Sequence, residues 1–317
     1  MPNLALMKLA GWHINQGDEV ELLREGYHAN LQDIDKIYVS CIFPQNVPAI
    51  ASMLSWFKGI PVEYGGPGFE KPSHLPEEIE HTRPWYPLYG VDYDMGKTTW
   101  GCPKKCPFCV VPILEGDFQE HADIEEFHWP GHKNVVLMDN NYLYSSRWEE
   151  TLDWINQRKM KVNFNQGLDL QYLTHEKALV LKRTRLFPSS FKKPGVSFAW
   201  DLMEEEPYVE RGIKILEDSG FRMWKVQIYM LVGFNTTFEQ DLYRVDKILK
   251  HGLDPFIMVY NHRMDDPELL RLARWVNKHL YSVVDFKDYR AEGDEERMPS
   301  SPRSMGISRG AYSRSYP

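Results

Sequence analysis

A regular alternation of candidate strands and amphipathic helices runs through residues 98 to 287 and constrains the fold more than any other feature of the sequence. Apolar runs predict strands at 134–139, 161–165, 196–201, 225–232 and 254–260. Helix-period stretches predict helices near 146–158, 174–185, 205–219, 236–251 and 266–280. A further strand near 97–100 completes six βα units. Because strands that alternate with helices favour a parallel sheet with helical crossovers, the sequence predicts an α/β fold.

Local signals mark where several of these helices begin and end. The expected N-caps are Thr174, then Thr236 or Thr237, then Asp265 or Asp266, since their side chains can accept hydrogen bonds from unpaired backbone N–H groups. Glycines at 220 and 252 follow two of the helices and are expected to stop them.

Three of the four cysteines stand close together, at Cys102, Cys106 and Cys109, in the spacing C-x-x-x-C-x-x-C. Thiolates three and four residues apart on a loop broken by prolines can converge on one soft metal centre, and cysteine thiolates are the ligands of iron–sulfur clusters. Three ligands on a four-iron cluster leave one iron open. An open iron can bind a small molecule, so the spacing indicates a catalytic site rather than electron storage alone.

A zinc site is the alternative explanation of the same cysteines, with His121, His128 or His132 as the fourth ligand. Zinc knots usually present two separated ligand pairs, whereas this chain has one compact triplet and no second pair. The alternative predicts a zinc-binding, non-catalytic interaction protein derived from such a fold. Disulfides are disfavoured because no secretory signal stands in the sequence, which predicts a reducing, cytoplasmic location.

With Phe108 directly before the last cysteine, the motif resembles the signature of the radical S-adenosylmethionine (radical SAM) superfamily. The resemblance implies that the three cysteines hold a 4Fe-4S cluster and that Phe108 contributes to the adenine pocket. It implies that the open iron chelates S-adenosylmethionine, whose reductive cleavage yields a 5′-deoxyadenosyl radical that removes a hydrogen atom from a substrate. It further implies a partial (βα)6 barrel, an electron donor such as flavodoxin or ferredoxin, and a small-molecule or peptide substrate. Methyl transfer, oxidation or rearrangement, and RNA-base modification stay open as net reactions.

Polar residues follow the predicted barrel strands, at the end where such barrels bind ligands. After the second strand come Asp139, Asn140 and Asn141, at the position where the resembling family binds the amino group of the methionine moiety. The resemblance makes all three candidate cofactor contacts. Because the turn has the sequence DNN rather than the family's common GGE, an Asx turn that caps the next helix is the alternative.

Four further candidates follow the later strands. Gln166 and Asp169, after the third strand, are expected to face the cavity and to hold nucleotide or substrate. Asp201, after the fourth, is expected to accept hydrogen bonds from ribose hydroxyls, with an exposed loop aspartate as the alternative. Gly233, after the fifth, matches a family glycine that lets the backbone approach adenine or ribose closely.

The first ninety residues predict a small, doubly wound α/β domain with a helix near 4–16. Two of its runs, PNLALMKLAGWHINQGDEVEL and VEYGGPGF, resemble parts of the cobalamin-binding domain that precedes many radical SAM barrels. The apolar strand that begins such domains is missing ahead of Met1, so we expect a truncated sheet that binds cobalamin weakly. No D-x-H-x-x-G motif nominates a lower cobalt ligand, and His13 is expected to be solvated. Cobalamin is therefore an open alternative and not a prediction.

Three segments follow from these interpretations: a cobalamin-domain-like unit at 1–90, the barrel at 91–289, and a disordered tail at 290–317 that is polar and almost free of aliphatic residues. No apolar run approaches the length that spans a bilayer, so no membrane partner is expected. The formal charge of −8 argues against sequence-independent nucleic-acid binding, but it leaves room for a nucleic-acid substrate in a local basic groove.

Overall fold

The computed structural model describes residues 2–23, 34–70 and 74–290. These residues form helices that alternate with strands of parallel sheets, so the predicted α/β class is confirmed. The chain divides into two compact units, Met1–Gln166 and Gly167–Pro317. The predicted boundary near residue 90 stays a prediction, and the predicted disorder of 291–317 lies outside the described residues.

The first unit begins with helices that alternate with strands, as the sequence predicts, and its first two strands pair in parallel. In chain order its first elements are α1 (Leu4–Gln16), β1 (Ile37–Ser40), α2 (Val47–Leu54) and β2 (Val62–Gly65). The Asn3 side chain caps α1 by accepting a hydrogen bond from the Leu6 N–H (3.1 Å). The same side chain donates to Ser40 Oγ (2.8 Å), which ties the start of the helix to the end of β1.

His13 departs from its predicted solvated state. Its side chain is 19% exposed, and its Nδ1 lies 2.6 Å from Asp18 Oδ2. Its Nε2 lies 2.9 Å from the Tyr38 hydroxyl of β1. The prediction was wrong because it considered only the periodicity within α1, whereas β1 packs against the face of the helix that carries His13.

The remainder of the first unit centres on three neighbouring parallel strands. Its elements are α3 (Glu77–Glu80), β3 (Asp94–Gly96), β4 (Thr99–Trp100), α4 (Val111–Leu114), β5 (Gln119–Glu120), α5 (Ile124–Phe127), β6 (Asn134–Leu137), α6 (Trp148–Gln157) and β7 (Lys161–Phe164). Val136 of the central strand β6 pairs with Met95 of β3 on one side and with Asn163 of β7 on the other. Val135 and Leu137 are 0% exposed, so β6 lies in the core of this unit.

The first strand of this sheet lies earlier than predicted. The parallel strand β3 ends at Gly96, whereas residues 99 and 100 form β4, which pairs antiparallel with β5. Thr98 and Thr99 each donate backbone and hydroxyl hydrogen bonds to Asp139, and these bonds draw the chain out of the sheet. The strand predicted at 97–100 is therefore corrected to 94–96, because a side chain about forty residues away diverts the later residues.

Lys8, Glu80 and His121 form a partly buried cluster within the first unit. Glu80 Oε1 lies 2.5 Å from Lys8 Nζ and 3.2 Å from His121 Nε2. Burial raises the pKa of the Glu80 carboxyl, but the hydrogen bond from His121 and the ammonium of Lys8 outweigh burial and lower that pKa to about 2. The cluster joins α1, α3 and the segment after β5.

We expect Glu80→Gln to lower the free energy of unfolding at pH 7 by about 2 kcal/mol, allowing for the partial exposure of the carboxylate. A carboxylate whose pKa is lower in the folded state stabilises that state above its unfolded pKa, near 4.5, and this stabilisation is lost as the pH falls toward 2. The difference between the variant and the parent should therefore shrink between pH 4.5 and 2 in urea titrations. The exposed Glu78→Gln on the same helix is the control, and a pH-independent difference would contradict the assignment.

The second unit contains four parallel strands in the order β8, β10, β11, β12. Its elements are β8 (Leu168–Asp169), α7 (His175–Arg183), β9 (Arg185–Leu186), β10 (Val196–Ala199), α8 (Glu206–Asp218), β11 (Val226–Val232), α9 (Phe238–Lys250), β12 (Asp254–Val259) and α10 (Pro267–Asn277). Alternate residues of β11 are buried, as in a strand whose two faces have different neighbours. Ile228 and Met230 are 0% exposed, so β11 contributes to the core of this unit.

The predicted helix ends agree with the structure. Thr174, Thr237 and Asp266 each accept a backbone hydrogen bond at the start of α7, α9 and α10. Gly220 and Gly252 follow α8 and α9 with φ of +72° and +68°. Among the described residues, no helix has both the length and the apolar character needed to cross a membrane.

Candidate functional site

The three clustered cysteines lie on one loop between β4 and α4. The Cys109 N–H donates to the Cys106 carbonyl (3.0 Å), which closes a tight turn with Pro107 in its second position and Phe108 in its third. Proline favours that position because its φ is already set for such a turn. All three clustered cysteines are partly exposed thiols, whereas the fourth, Cys41, is 2% exposed. The sequence thus places three accessible thiols on one short, turned segment.

These thiols are not yet arranged as a ligand set. Within residues 2–23, 34–70 and 74–290, no group of three or more His, Cys, Asp or Glu side chains is placed to hold a metal ion. The chemistry of the donors nevertheless fits an iron–sulfur cluster, since three thiols of one loop are partly exposed and carry no disulfide.

The histidines considered as zinc ligands each have a carboxylate partner. His121 hydrogen-bonds Glu80 (3.2 Å). The Nδ1 atoms of His128 and His132 lie 2.7 and 2.8 Å from the two oxygens of Asp94, which is 0% exposed. These bonds orient the two rings within the core around β3, so the described residues do not assemble the zinc site of the alternative hypothesis.

A partly buried carboxylate lies at the base of the cysteine loop. Glu115 follows α4 and accepts hydrogen bonds from Lys97 Nζ (2.5 Å), the Gly101 N–H (3.0 Å) and Asn140 Nδ2 (2.7 Å). Its side chain is 15% exposed and that of Lys97 is 14% exposed. We call this arrangement the Glu115 clasp. Lys97 and Glu115 were not predicted from the sequence, because their only local signal is a pair of glycines, 101 and 116, at the two ends of the loop.

The backbone at Gly101 requires glycine for two reasons. Its φ is +69°, and a Cβ would lie 2.3 Å from the Asp117 carbonyl oxygen. We expect Gly101→Ala to lower the free energy of unfolding by at least about 3 kcal/mol, combining left-handed strain with overpacking. Gly116→Ala is the matched control, since its φ is +75° but nothing lies within 4 Å of the added Cβ, and it should cost about 1 kcal/mol. Equal losses in thermal or urea unfolding would contradict the close contact.

Asp139 anchors the strand of the loop that leads to the first cysteine. Its Oδ1 accepts hydrogen bonds from the N–H and the hydroxyl of both Thr98 and Thr99, at 2.6 to 2.9 Å. The side chain is 3% exposed. Burial raises the pKa of this carboxyl above its ordinary value, and the hydrogen bonds from the two threonines oppose that rise. Its other oxygen, Oδ2, is buried and meets no hydrogen-bond donor among the described residues.

The two asparagines of the predicted DNN turn also face the cysteine loop. Asn140 Nδ2 donates to Glu115 and lies 3.4 Å from the Gly101 carbonyl. Asn141 is 2% exposed, and its Nδ2 lies 4.0 Å from Cys102 Sγ. Asn141 precedes a 3₁₀ turn, and its side chain makes no capping hydrogen bond to that turn. The structure brings the DNN turn and the first cysteine together, while the contacts of the turn to a cofactor stay a prediction.

Gln166 and Asp169 fall on opposite sides of the division between the two units. Gln166 is an exposed residue that follows β7. Asp169 ends β8, and its Oδ1 accepts a hydrogen bond from the Gln171 N–H (2.9 Å) at the start of a 3₁₀ turn. Their predicted contacts to nucleotide or substrate stay predictions.

A buried ion pair joins the ends of β10 and β11 in the second unit. Arg244 and Asp241 of α9 are both 0% exposed, and Arg244 Nη2 lies 2.6 Å from Asp241 Oδ1. The guanidinium also donates to the carbonyls of Trp200 and Asp201 (2.8 and 3.0 Å), which follow β10, and to that of Leu231 in β11 (2.6 Å). These hydrogen bonds and the ion pair offset much of the free-energy cost of burying the Arg244 charge, which would be large without partners.

Asp201 and Gly233, both predicted nucleotide contacts, belong to the same junction. Asp201 Oδ1 accepts a hydrogen bond from the Leu231 N–H (2.9 Å). The Gly233 N–H donates to Asp241 Oδ2 (3.2 Å), its φ is +76°, and a Cβ there would lie 2.4 Å from Leu269 Cδ1. The structure therefore gives both residues a role in holding strand ends, and their contacts to a nucleotide stay predictions.

The sequence did contain a signal for the ion pair. Residues 241, 244, 245 and 248 share one face of α9, since they are spaced as i, i+3, i+4 and i+7. Val245 and Ile248 are buried on that face, so the two charged residues that share the face are expected to be buried as well. Opposite charges three residues apart on an apolar stripe predict a buried pair.

Comparisons with known proteins find only weak similarity. No family model matches the chain. Streptococcus suis SuiB bound to the precursor peptide SuiA is 13% identical, with a TM-score of 0.41, over 75% of this chain and 57% of that chain. Plasmodium falciparum HPPK-DHPS A437G with SDX-DHP is 11% identical, with a TM-score of 0.26, over 83% of this chain and 43% of that chain. The chain thus spans little more than half the length of SuiB, and neither likeness assigns a family or a function.

Proposed function

We propose that this protein is a radical SAM enzyme, in which Cys102, Cys106 and Cys109 hold a 4Fe-4S cluster. When bound, the cluster and S-adenosylmethionine supply reductive sulfonium cleavage and a 5′-deoxyadenosyl radical. The observation that carries the proposal is the set of three accessible thiols on one loop whose base is anchored by the predicted DNN turn. The zinc alternative would take its fourth ligand from His121, His128 or His132, each of which hydrogen-bonds a carboxylate through one ring nitrogen.

In this proposal the residues around the loop position the loop and the cofactor before the reaction begins. Asp139 holds Thr98 and Thr99 through its Oδ1, which sets the direction in which the chain enters the cysteine loop. Its buried Oδ2 is an acceptor suited to the amino group of S-adenosylmethionine, because it meets no donor among the described residues. Phe108, in the third position of the turn before Cys109, is proposed to contact the adenine.

The remaining candidates extend the proposal beyond the loop. Gln166 and Asp169 are proposed to contact nucleotide or substrate, and Asp201 and Gly233 to support the cofactor through the strand ends that they hold. A small molecule or peptide is the proposed substrate, and flavodoxin or ferredoxin the proposed electron donor. Residues 1–90 are proposed as a cobalamin-domain-like unit, with cobalamin itself left open.

Anaerobic reconstitution tests the proposal. The protein should bind four iron and four labile sulfide per chain and show broad thiolate-to-iron absorption that bleaches on reduction with dithionite. With dithionite and S-adenosylmethionine it should then release 5′-deoxyadenosine slowly, even without substrate. Stoichiometric zinc without labile sulfide would overturn the proposal in favour of the zinc-binding alternative.

A further inference from the structure

We infer that Glu115 is a positioning residue that holds the two ends of the cysteine loop in the register needed for cluster binding. Only the measurements on the cluster-bound protein rest on the proposed function. The donors to Glu115 come from two separate parts of the first unit: Lys97 and the Gly101 N–H on either side of β4, and Asn140 after β6. One carboxylate thus joins the two stems of the cysteine loop to a segment 25 residues further along the chain.

The position of Glu115 in the chain makes this contact specific for the cysteines. The Gly101 N–H belongs to the residue directly before Cys102, at the entrance to the loop. Cys109 at the exit connects through Val110 and α4 to Glu115, whose own N–H donates to the Val111 carbonyl (2.8 Å). The carboxylate therefore links the stems of the first and last cysteines across the base of the loop.

Burial and charge strengthen the clasp. The Glu115 side chain is 15% exposed and that of Lys97 is 14% exposed, so water competes little for their hydrogen bonds. The Lys97 ammonium also lies 4.3 Å from the centroid of the Trp100 ring, which fixes its direction. A charged acceptor with three donors forms stronger hydrogen bonds than neutral pairs do.

The hydrogen bonds of the clasp are made by the stems of the loop and not by the three thiols. The three cysteines are not arranged as a ligand set among the described residues, and the apolar side chain next to them on α4, Ile113, is 84% exposed. A loop that is fixed at its base and accessible at its tip can close on a cluster without losing its register. Glu115 is therefore assigned to the base of the loop and the thiols to its partly exposed tip.

Alkylation of the metal-free protein tests the inference without any cluster. Cysteine-resolved mass spectrometry should show Cys102 and Cys109 alkylated about tenfold faster in Glu115→Ala, since a tenfold change corresponds to about 1.4 kcal/mol of lost loop closure. Glu115→Gln keeps acceptor capacity for Gly101 and should lie between the parent and Glu115→Ala. The buried Cys41 serves as the internal measure of global unfolding.

Asp117→Ala is the matched control on the same loop. Its side chain is 88% exposed and pairs with the exposed Lys105 at 3.2 Å, so its loss should leave the alkylation rates unchanged. Unchanged rates at Cys102 and Cys109 in both Glu115 variants would overturn the inference. Rapid alkylation of Cys41 would show that Glu115→Ala does not fold. In that case the alkylation rates of Cys102 and Cys109 in Glu115→Gln alone test the inference.

The reconstituted protein gives the second measurement. Glu115→Gln should retain the cluster but shift its reduction potential upward, because a negative charge near the cluster has been removed and Lys97 has lost its counter-ion. Glu115→Ala should also retain less iron than Asp117→Ala. If the parent protein binds no cluster, the proposed function is refuted. The alkylation rates would then still test whether Glu115 holds the base of the loop. A parent that binds one, with potential and iron content unchanged in both Glu115 variants, would refute the positioning role alone.

Discussion

Replacing any one of Cys102, Cys106 and Cys109 by Ala should reduce the iron and labile sulfide of the reconstituted protein to background. The physical reason is that a four-iron cluster held by only three thiolates has no spare protein ligand. Iron and sulfide analysis, with the visible absorption of each variant, measures the effect.

Cys41→Ala is the matched control for this expectation. Cys41 is 2% exposed, and its Sγ donates to the Phe43 carbonyl (3.2 Å), so it packs as part of the core around β1. The variant should lose some stability and keep its full cluster. Retention of the cluster by any of the three loop variants, or its loss in Cys41→Ala, would show that the ligand assignment is wrong.

Replacing Arg244 by Met should destabilise the second unit by about 3–5 kcal/mol, because it leaves the carboxylate of Asp241 buried without its counter-charge. The same change deprives the carbonyls of Trp200, Asp201 and Leu231 of their donor. Urea unfolding, followed by a probe in the second unit, measures this loss.

The chain offers a matched exposed pair as the control. Arg263 and Asp266 are also an arginine and an aspartate three residues apart, but the arginine side chain is 50% exposed. Arg263→Met should cost no more than about 1 kcal/mol. The double variant Asp241→Leu with Arg244→Met should recover much of the loss, since an apolar pair avoids the buried charge. Similar losses at the two sites would contradict the assigned role of burial.

The sequence by itself determined the α/β class and the places of most strands and helices. The predicted strands at 196–201, 225–232 and 254–260 correspond to β10, β11 and β12. Thr174 and Asp266 cap the helices that the sequence assigns to them. These features were accessible because periodicity, capping and turn formation depend on residues only a few positions apart. The spacing of the cysteines likewise determined which donors share one loop.

Only the tertiary structure decided how that loop is held. Thr98 and Thr99 meet Asp139 about forty residues later, and these bonds moved the first parallel strand away from its predicted position. Glu115 meets Asn140 across 25 residues, and no local pattern indicates the pair. Hydrogen bonds between residues distant in sequence form because the sheet brings strand ends together. The local sequence therefore identifies which donor groups share the cysteine loop. The geometry of that loop, in contrast, depends on contacts that exist only after folding.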